Sequence, residues 1–198
     1  MKSYTLNLNP PSEYGPLMNM HEGTVKVILN ECDRMSKQAA LDEKQEMHIR
    51  LLAEEMISML PHLMEYGSGK FWINNDDGVF EMHLSVAPKL TASNKTSPIA
   101  KVMNSDISMK SMVRRICGII DKAASRGSEL PDEDANRTSW SLGSYIARLK
   151  QQDPDKSKSD EWDELEHSIL ANIADDVIVK NVGNTIELIL IKIIPAKA

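Results

Sequence analysis

The longest strongly patterned segment of the chain is DEKQEMHIRLLAEEMISMLPHLMEYG, residues 42–67. Its apolar residues recur at intervals of three and four, so on a helix they gather on one broad arc, which is typical of a helix that faces a core. Asp42, with Gln45 three residues later, matches a capping box and predicts the start of this helix. Pro61 lacks a backbone N–H and predicts a kink or an end near residue 60. The apolar positions are Ile49, Leu52, Ala53, Met56, Ile57, Met59, Leu60, Leu63 and Met64.

The opposite arc of the same helix carries a polar ridge. Arg50, Glu54, Ser58 and His62 follow one another at intervals of four residues, so their side chains stack along one line. Glu55 points about 100° away from Glu54, so the two carboxylates cannot act together on one group. Two interpretations stay open: a solvated face, which the usual behaviour of amphipathic helices favours, or the lining of a pocket.

Composition and charge narrow the class of protein. The formal net charge is -6 and the pI is near 5.4, which argues against general attraction to nucleic acid or to an anionic membrane. No apolar run approaches the roughly 20 residues of a membrane helix, and MKSYTLNLNP lacks the apolar region of a signal peptide, so we expect a cytoplasmic protein. Cys32 and Cys117 have no metal-binding spacing, which predicts reduced, partly buried thiols.

The first half of the chain predicts one strand, two helices and a hairpin. Residues 3–9 alternate between apolar and polar side chains, which indicates a half-buried strand, and residues 17–35 have the spacing of a helix. After the helix of residues 42–67, residues 70–75 and 79–86 read as two strands. An Asp-Gly pair between them supplies the positive φ of a tight turn.

The middle of the chain predicts an insertion. Periodicity disappears over residues 87–105, where Ser, Thr, Asn, Lys and Pro dominate, as in a lid or an inserted loop. Helices are predicted at residues 106–124 and 139–150, and the polar run QQDPDKSKSD follows them. We therefore expect a lid or insertion over about residues 87–160.

The end of the chain predicts a helix and a second hairpin. Residues 161–173 read as a helix, and residues 176–182 and 185–194 as strands joined at a Gly-Asn pair. The last strand is apolar on both faces except at Glu187 and Lys192, so we expect it in the centre of the sheet.

These elements predict one α+β domain over residues 1–198. Its expected architecture is a two-layer α/β sandwich, in which helices cover mainly one face of a mixed sheet. A helical insertion separates the two hairpins.

Two stretches carry a resemblance to a known family: RLLAEEMISMLPHLMEYGSGKFWINNDDGVFEMHLSV and ELEHSILANIADDVIVKNVGNTIELILIKI. Together they resemble the ATP-binding domain of the GHKL or Bergerat fold, which histidine kinases, gyrase and the anti-sigma-factor serine kinases share. In that family a helix with a glutamate or asparagine box leads into a hairpin, a glycine-rich segment and an ATP lid. A helix and a hairpin close the domain.

The resemblance implies a site for ATP and magnesium on the helix of residues 42–67. It places Glu54 at the box glutamate, as the catalytic base that polarises water, and Ser58 at the asparagine that coordinates magnesium. His62 follows one turn later and would complete the cofactor-binding ridge. Side chains four residues apart on a helix are neighbours, so a carboxylate and an oxygen ligand at this spacing can contact the same metal ion and the same phosphate. Where the family has an Asp-x-Gly-x-Gly segment that reads adenine, this chain has SVAPKLTASNK.

Two functions follow as hypotheses. The first is a divergent histidine-kinase-like ATP-binding domain with a regulatory role, similar to an anti-sigma factor, in which nucleotide binding is weakened or lost. The second is a non-catalytic module on the same fold that binds a protein partner or forms a homodimer, and the missing adenine-reading aspartate favours it. Neither hypothesis involves nucleic acid or a membrane.

An unrelated hydrolase finds little support in the sequence. The chain has no G-x-S-x-G, P-loop or H-E-x-x-H motif. His48 and His62 lie too far apart along one helix to share an ion. His83, on a hairpin strand, is expected to be a surface or hydrogen-bonded histidine.

Overall fold

Six strands of one sheet and six helices make up the part of the chain that the computed structural model describes, which is residues 2–8, 17–63, 68–87, 111–125, 139–152, 160–182 and 185–195. The strands are β1 (Lys2–Leu8), β2 (Gly69–Asp76), β3 (Val79–Val86), β4 (Ser139–Ser141), β5 (Asp176–Val182) and β6 (Thr185–Ile193). The helices are α1 (Leu17–Gln38), α2 (Glu43–Leu63), α3 (Ser111–Ser125), α4 (Leu142–Gln152), α5 (Asp160–Glu166) and α6 (Ile169–Ile173).

The strands lie in the order β1-β2-β3-β6-β5-β4. β6 therefore has a neighbour on each side, as its apolar sequence predicts. All five pairings between the described strands are antiparallel, so the sheet is not the mixed one expected from the sequence. Two of the pairings are hairpins, and β1 is joined to β2 through two helices rather than the single crossover helix that would make neighbouring strands parallel.

The core lies between one face of the sheet and the helices. Every described helix contributes buried side chains to one hydrophobic cluster, and the sheet contributes alternate residues such as Phe71 and Ile73 of β2 and Phe80, Met82 and Leu84 of β3. We call this side of the sheet the inner face and the opposite side the outer sheet face. The two-layer α+β sandwich predicted from the sequence is thus confirmed.

The capping box at the start of α2 forms as predicted. The Gln45 backbone N–H donates to Asp42 Oδ1 at 2.9 Å, and the Asp42 N–H donates to Gln45 Oε1 at 3.0 Å. The described part of the helix continues through Pro61 to Leu63, so the end predicted near residue 60 does not occur there. Its starting point is therefore set by local hydrogen bonds.

A tight turn joins β2 and β3. Asp77 and Gly78 have φ values of 49° and 85°, the left-handed values that a two-residue hairpin loop requires. A Cβ on Gly78 would lie 2.5 Å from the carbonyl oxygen of Ile194, so glycine is needed there both for its φ and for space. This turn fixes the register in which Trp72 lies opposite His83.

Two predicted helices differ from the observed elements. Ser139–Ser141 is strand β4 instead of the first turn of a helix; Ser141 Oγ then accepts the Ser144 N–H at 3.1 Å, so α4 begins after it. The helix predicted at 161–173 is divided in two because Ser168 Oγ accepts the Ala171 N–H and caps α6. The predicted lid at 87–105 lies outside the described residues from residue 88 onward, and so does the Gly-Asn pair at 183–184.

Candidate functional site

The polar ridge of α2 lies on the solvent side of the helix. Arg50 and Glu54 have side chains that are 45% and 46% exposed and form an ion pair at 3.2 Å between Nε and Oε1. Arg50 also reaches Asp33 of α1, with Nη1 3.0 Å from Oδ2. The charges of the ridge are therefore paired with one another and with the neighbouring helix.

Ser58 lies on the exposed ridge of α2, whereas the nearby Glu55 is buried. Ser58 is exposed and its Oγ donates to the Glu55 carbonyl oxygen at 2.6 Å. Glu55 is only 7% exposed, whereas Glu54 faces solvent, as their predicted angular separation requires. The backbone of His62 belongs to α2, but its side chain lies outside the described part of the structure. The roles that the family resemblance implies for Glu54, Ser58 and His62 stay predictions.

The described residues provide neither a metal-binding group of side chains nor a reactive thiol. They contain no group of three or more His, Cys, Asp and Glu side chains arranged to hold a metal ion. Cys32 and Cys117 are buried and not paired in a disulfide. Burial, reinforced by the carboxylates of Asp33 and Glu31, raises the pKa of the Cys32 thiol to about 12, so Cys32 is not a nucleophile at neutral pH.

His48 lies near the start of α2, beside positive charge. Desolvation, together with Lys192 and Lys44, lowers the pKa of its imidazole, and Asp42 opposes this shift. These surroundings therefore disfavour the protonated form of His48, which stands apart from the polar ridge.

The outer sheet face brings together side chains from both hairpins. Across the sheet, Thr5, Trp72, His83, Ile189 and Ile178 lie directly opposite one another in successive strands. Residues in such a row project from the same face at about 5 Å spacing between neighbouring Cα atoms.

A polar network in which His83 and Glu187 are buried occupies the centre of this face, and we call it the His83 cluster: Trp72, Glu81, His83, Lys180 and Glu187. His83 Nδ1 lies 2.7 Å from Glu187 Oε1, and its Nε2 lies 3.3 Å from Glu81 Oε2. Lys180 Nζ lies 3.4 Å from Glu187 Oε2. The Trp72 ring stacks on the imidazole with centroids 4.6 Å apart and planes 8° from parallel. His83 is thus a hydrogen-bonded histidine, in agreement with the sequence prediction.

The two hydrogen-bonding nitrogens of His83 are both occupied. Each ring nitrogen faces one carboxylate oxygen, Nδ1 that of Glu187 and Nε2 that of Glu81. His83 and Glu187 are 8% and 7% exposed, and each has its partners within the protein. The cluster therefore holds the His83 imidazole between two carboxylates at the centre of the face.

Aliphatic side chains continue the outer sheet face beyond the cluster, and we call them the aliphatic stripe: Val79, Ile178, Ile189, Ile191 and Ile193. None of the five belongs to the hydrophobic core on the inner face. Ile193 is 53% exposed and Ile189 only 5%. Along β6 the exposure of these aliphatic side chains thus rises from the buried Ile189 to the exposed Ile193.

A polar pocket opens at the opposite end of the same face. This cavity of about 520 Å³ is lined by residues that include Asn7 of β1, Lys70 and Trp72 of β2, Ser85 of β3 and Thr185 of β6. Trp72 is the one residue that the pocket shares with the His83 cluster.

Part of this face could have been found from the sequence. The Asp-Gly turn between residues 76 and 79 fixes Trp72 opposite His83, and the second hairpin fixes Lys180 opposite Glu187. The pairing of β3 with β6 joins the two hairpins, and no local signal gives its register. The contact between His83 and Glu187 was missed for that reason.

No model of a known protein family matches the chain, and no curated protein matches it either. Among the described helices, none combines the length and the apolar character needed to cross a lipid bilayer.

Proposed function

We propose that the protein is a non-catalytic protein-interaction module that docks through the outer sheet face. The observation that carries this proposal is the aliphatic stripe, which lies outside the core to which every described helix contributes. An antiparallel sheet with one solvated face normally alternates between apolar and polar side chains. β6 breaks this alternation, because Ile189, Ile191 and Ile193 occupy outward positions. Ile193 is exposed and Val79, Ile178 and Ile191 are partly exposed, and apolar surface of this kind typically marks an interaction site.

The chemistry of the described residues supports a binding role more than a catalytic one. Glu54 is engaged by Arg50, and both ring nitrogens of His83 face carboxylates. Cys32 is buried with a raised pKa. A general base or nucleophile needs a free, accessible group at the reacting atom, and these side chains do not supply one.

A second copy of the chain is the partner that we propose for the stripe. An aliphatic patch can pack against the same patch on a second copy of the chain. Two-fold homodimers, which bury the same patch on both subunits, are the commonest oligomers. A standard interface buries about 800 Å² of surface on each partner, which is more than the area of five aliphatic side chains. Self-association through the stripe should therefore be weak.

Sedimentation equilibrium tests this proposal with a matched pair of variants. Ile193 on the stripe is 53% exposed and Met47 on α2 is 52% exposed, so Ile193→Lys and Met47→Lys make the same kind of change at equal exposure. The wild type should show a concentration-dependent dimer, Ile193→Lys should weaken it by about tenfold or more, and Met47→Lys should leave it unchanged. A wild type that stays monomeric throughout, or equal effects of the two variants, would contradict the proposal.

The second candidate is a divergent histidine-kinase-like ATP-binding domain with a regulatory role. It is favoured by the exposure of Glu54 and Ser58 on one ridge of α2, just before the β2–β3 hairpin, where the family resemblance places the nucleotide box. Calorimetric titration with ATP and magnesium should then give heat, and Glu54→Gln should abolish any ATPase activity while the fold stays intact. No heat and no thermal shift at millimolar nucleotide would rule this candidate out.

A further inference from the structure

The polar pocket on the outer sheet face has the size of a small-molecule site. Its volume of about 520 Å³ falls within the range of small-molecule pockets, roughly 300–1,000 Å³. It lies at the end of the face where β6 begins, and the exposed end of the aliphatic stripe lies where β6 ends. An inference about this pocket is therefore independent of the proposed docking function.

Three polar side chains stand in one row across the pocket. Asn7, Lys70 and Ser85 are directly opposite one another on β1, β2 and β3, so neighbouring Cα atoms in the row are about 5 Å apart. Asn7 and Lys70 are exposed, and Ser85 is half-buried. Within the described part of the chain, none of the three side chains has a hydrogen-bond or ion-pair partner.

This lack of partners distinguishes the pocket from the adjoining His83 cluster. Lys180, on the same face, has its ammonium 3.4 Å from Glu187, whereas no carboxylate among the described residues lies within ion-pair distance of Lys70. Thr185 Oγ1 donates to the Val182 carbonyl at 2.8 Å and keeps acceptor capacity. The pocket therefore offers one positive charge, an amide and hydroxyl groups to a ligand.

Trp72 supplies a fixed apolar wall. One face of its indole stacks on His83, and the imidazole is in turn held by Glu187 and Glu81. A ring that is already oriented loses little conformational freedom when a ligand packs against it. The His83 cluster thus positions Trp72 for the pocket.

We infer that this pocket binds an anionic sugar, meaning a small polyhydroxylated ring that carries one carboxylate. The carboxylate would pair with the Lys70 ammonium. Sugar hydroxyls both donate and accept hydrogen bonds, as do the side chains of Asn7 and Ser85. The apolar C–H face of the ring would pack on Trp72. A purely apolar ligand would leave the side chains of Asn7, Lys70 and Ser85 without hydrogen-bond partners. A cation would be repelled by Lys70, and a polyphosphate would carry more negative charge than this one lysine can neutralise.

Nuclear magnetic resonance titration of the ¹⁵N-labelled protein tests this inference, with glucuronate as the probe. The expected result is a saturable shift of the Trp72 indole signal and of the Lys70 and Ser85 amides. The indole signals of Trp140 and Trp162 should stay in place, because neither residue lines the pocket. Glucose tests the neutral ring and acetate tests the charge alone, and each should bind at least about tenfold more weakly than glucuronate.

Two lysine variants sharpen the assignment. Lys70→Gln should weaken glucuronate binding by about tenfold, and Lys180→Gln, which removes the same charge from the same face outside the pocket, should not. A ¹⁵N spectrum of each variant shows whether it is folded, and Ser85→Ala gives a milder second change in the pocket.

Four outcomes would overturn the inference: no pocket shifts with glucuronate, equal affinity for acetate, equal affinity for glucose, or equal losses in the two lysine variants. None of these measurements depends on self-association, because they can be made in the Ile193→Lys background. Failure of the pocket and failure of the docking proposal are therefore distinguishable.

Discussion

The polar ridge of α2 and the His83 cluster both combine carboxylates with positively charged groups, but they are built differently. On the ridge, Arg50 and Glu54 are about half exposed and lie four residues apart on one helix. In the cluster, His83 and Glu187 are more than nine-tenths buried and come from strands that are distant in sequence. Spacing alone made the ridge visible in the sequence, whereas the cluster required the fold.

The difference shows that a regular sequence motif need not mark the most constrained site. Exposed ion pairs contribute little to stability, because solvent screens them and ordering two long side chains costs entropy. Buried charged groups must be paired, so losing one partner is costly. We therefore expect the outer sheet face to respond strongly to substitutions that the ridge tolerates.

The largest expected effect concerns the turn that sets the register of the outer sheet face. Gly78→Ala should lower the free energy of unfolding by about 3 kcal/mol, because Gly78 has a φ of 85° and a Cβ there would lie 2.5 Å from the Ile194 carbonyl oxygen. Urea denaturation measures the change. Gly118→Ala, in α3 with nothing near its Cβ, is the control and should instead stabilise by about 0.5–1 kcal/mol. Equal responses at the two glycines would contradict the role assigned to the turn.

The comparison between ridge and cluster can be tested with one substitution made at two glutamates. Glu187→Gln should cost about 2 kcal/mol of unfolding free energy, because a buried carboxylate that pairs with Lys180 and hydrogen-bonds with His83 is replaced by a neutral amide. Glu54→Gln should cost less than about 0.5 kcal/mol, since its ion pair with Arg50 is exposed. If chemical denaturation gave similar losses for both variants, the distinction between the two regions would be lost.

The smallest expected effect is a pH dependence at His48, outside both regions. Its pKa in the folded protein is lowered, mainly by burial, so the unfolded chain binds more protons as pH falls through the ordinary histidine pKa of about 6.5. Wild-type stability should therefore decline below that pH relative to His48→Gln, and the difference should vanish above neutrality. Thermal denaturation over a pH series measures it. A wild type that gained stability relative to the variant on acidification would show that the sign is wrong.

Much of the fold could be predicted from the sequence, because its signals are local. The capping box placed the start of α2, the Asp-Gly turn gave the first hairpin, and the apolar last strand indicated a central position for β6. Two helix predictions, at residues 139–150 and 161–173, were wrong in part because a serine inside each segment acts as an N-cap. Ser141 and Ser168 each start a new helix within a segment whose pattern indicates one continuous helix.

The candidate sites could be predicted only in part. The four-residue spacing of Glu54 and Ser58 correctly put them on one side of α2. Alternation also allows Trp72, His83 and Glu187 to be assigned to faces of their strands. What no local pattern supplies is the pairing of β3 with β6, which decides that His83 meets Glu187 and that an apolar stripe forms beside them. Long-range register is fixed by packing of the whole sheet.

A dilution series followed by ¹⁵N nuclear magnetic resonance can decide whether the outer sheet face or the α2 ridge is the interaction surface. If the protein self-associates as proposed, the amide signals of Ile191 and Ile193 should shift with concentration, whereas those of Glu54 and Ser58 should stay constant. Shifts that map to the ridge, or spectra that do not change up to the highest soluble concentration, would rule out docking through the outer sheet face.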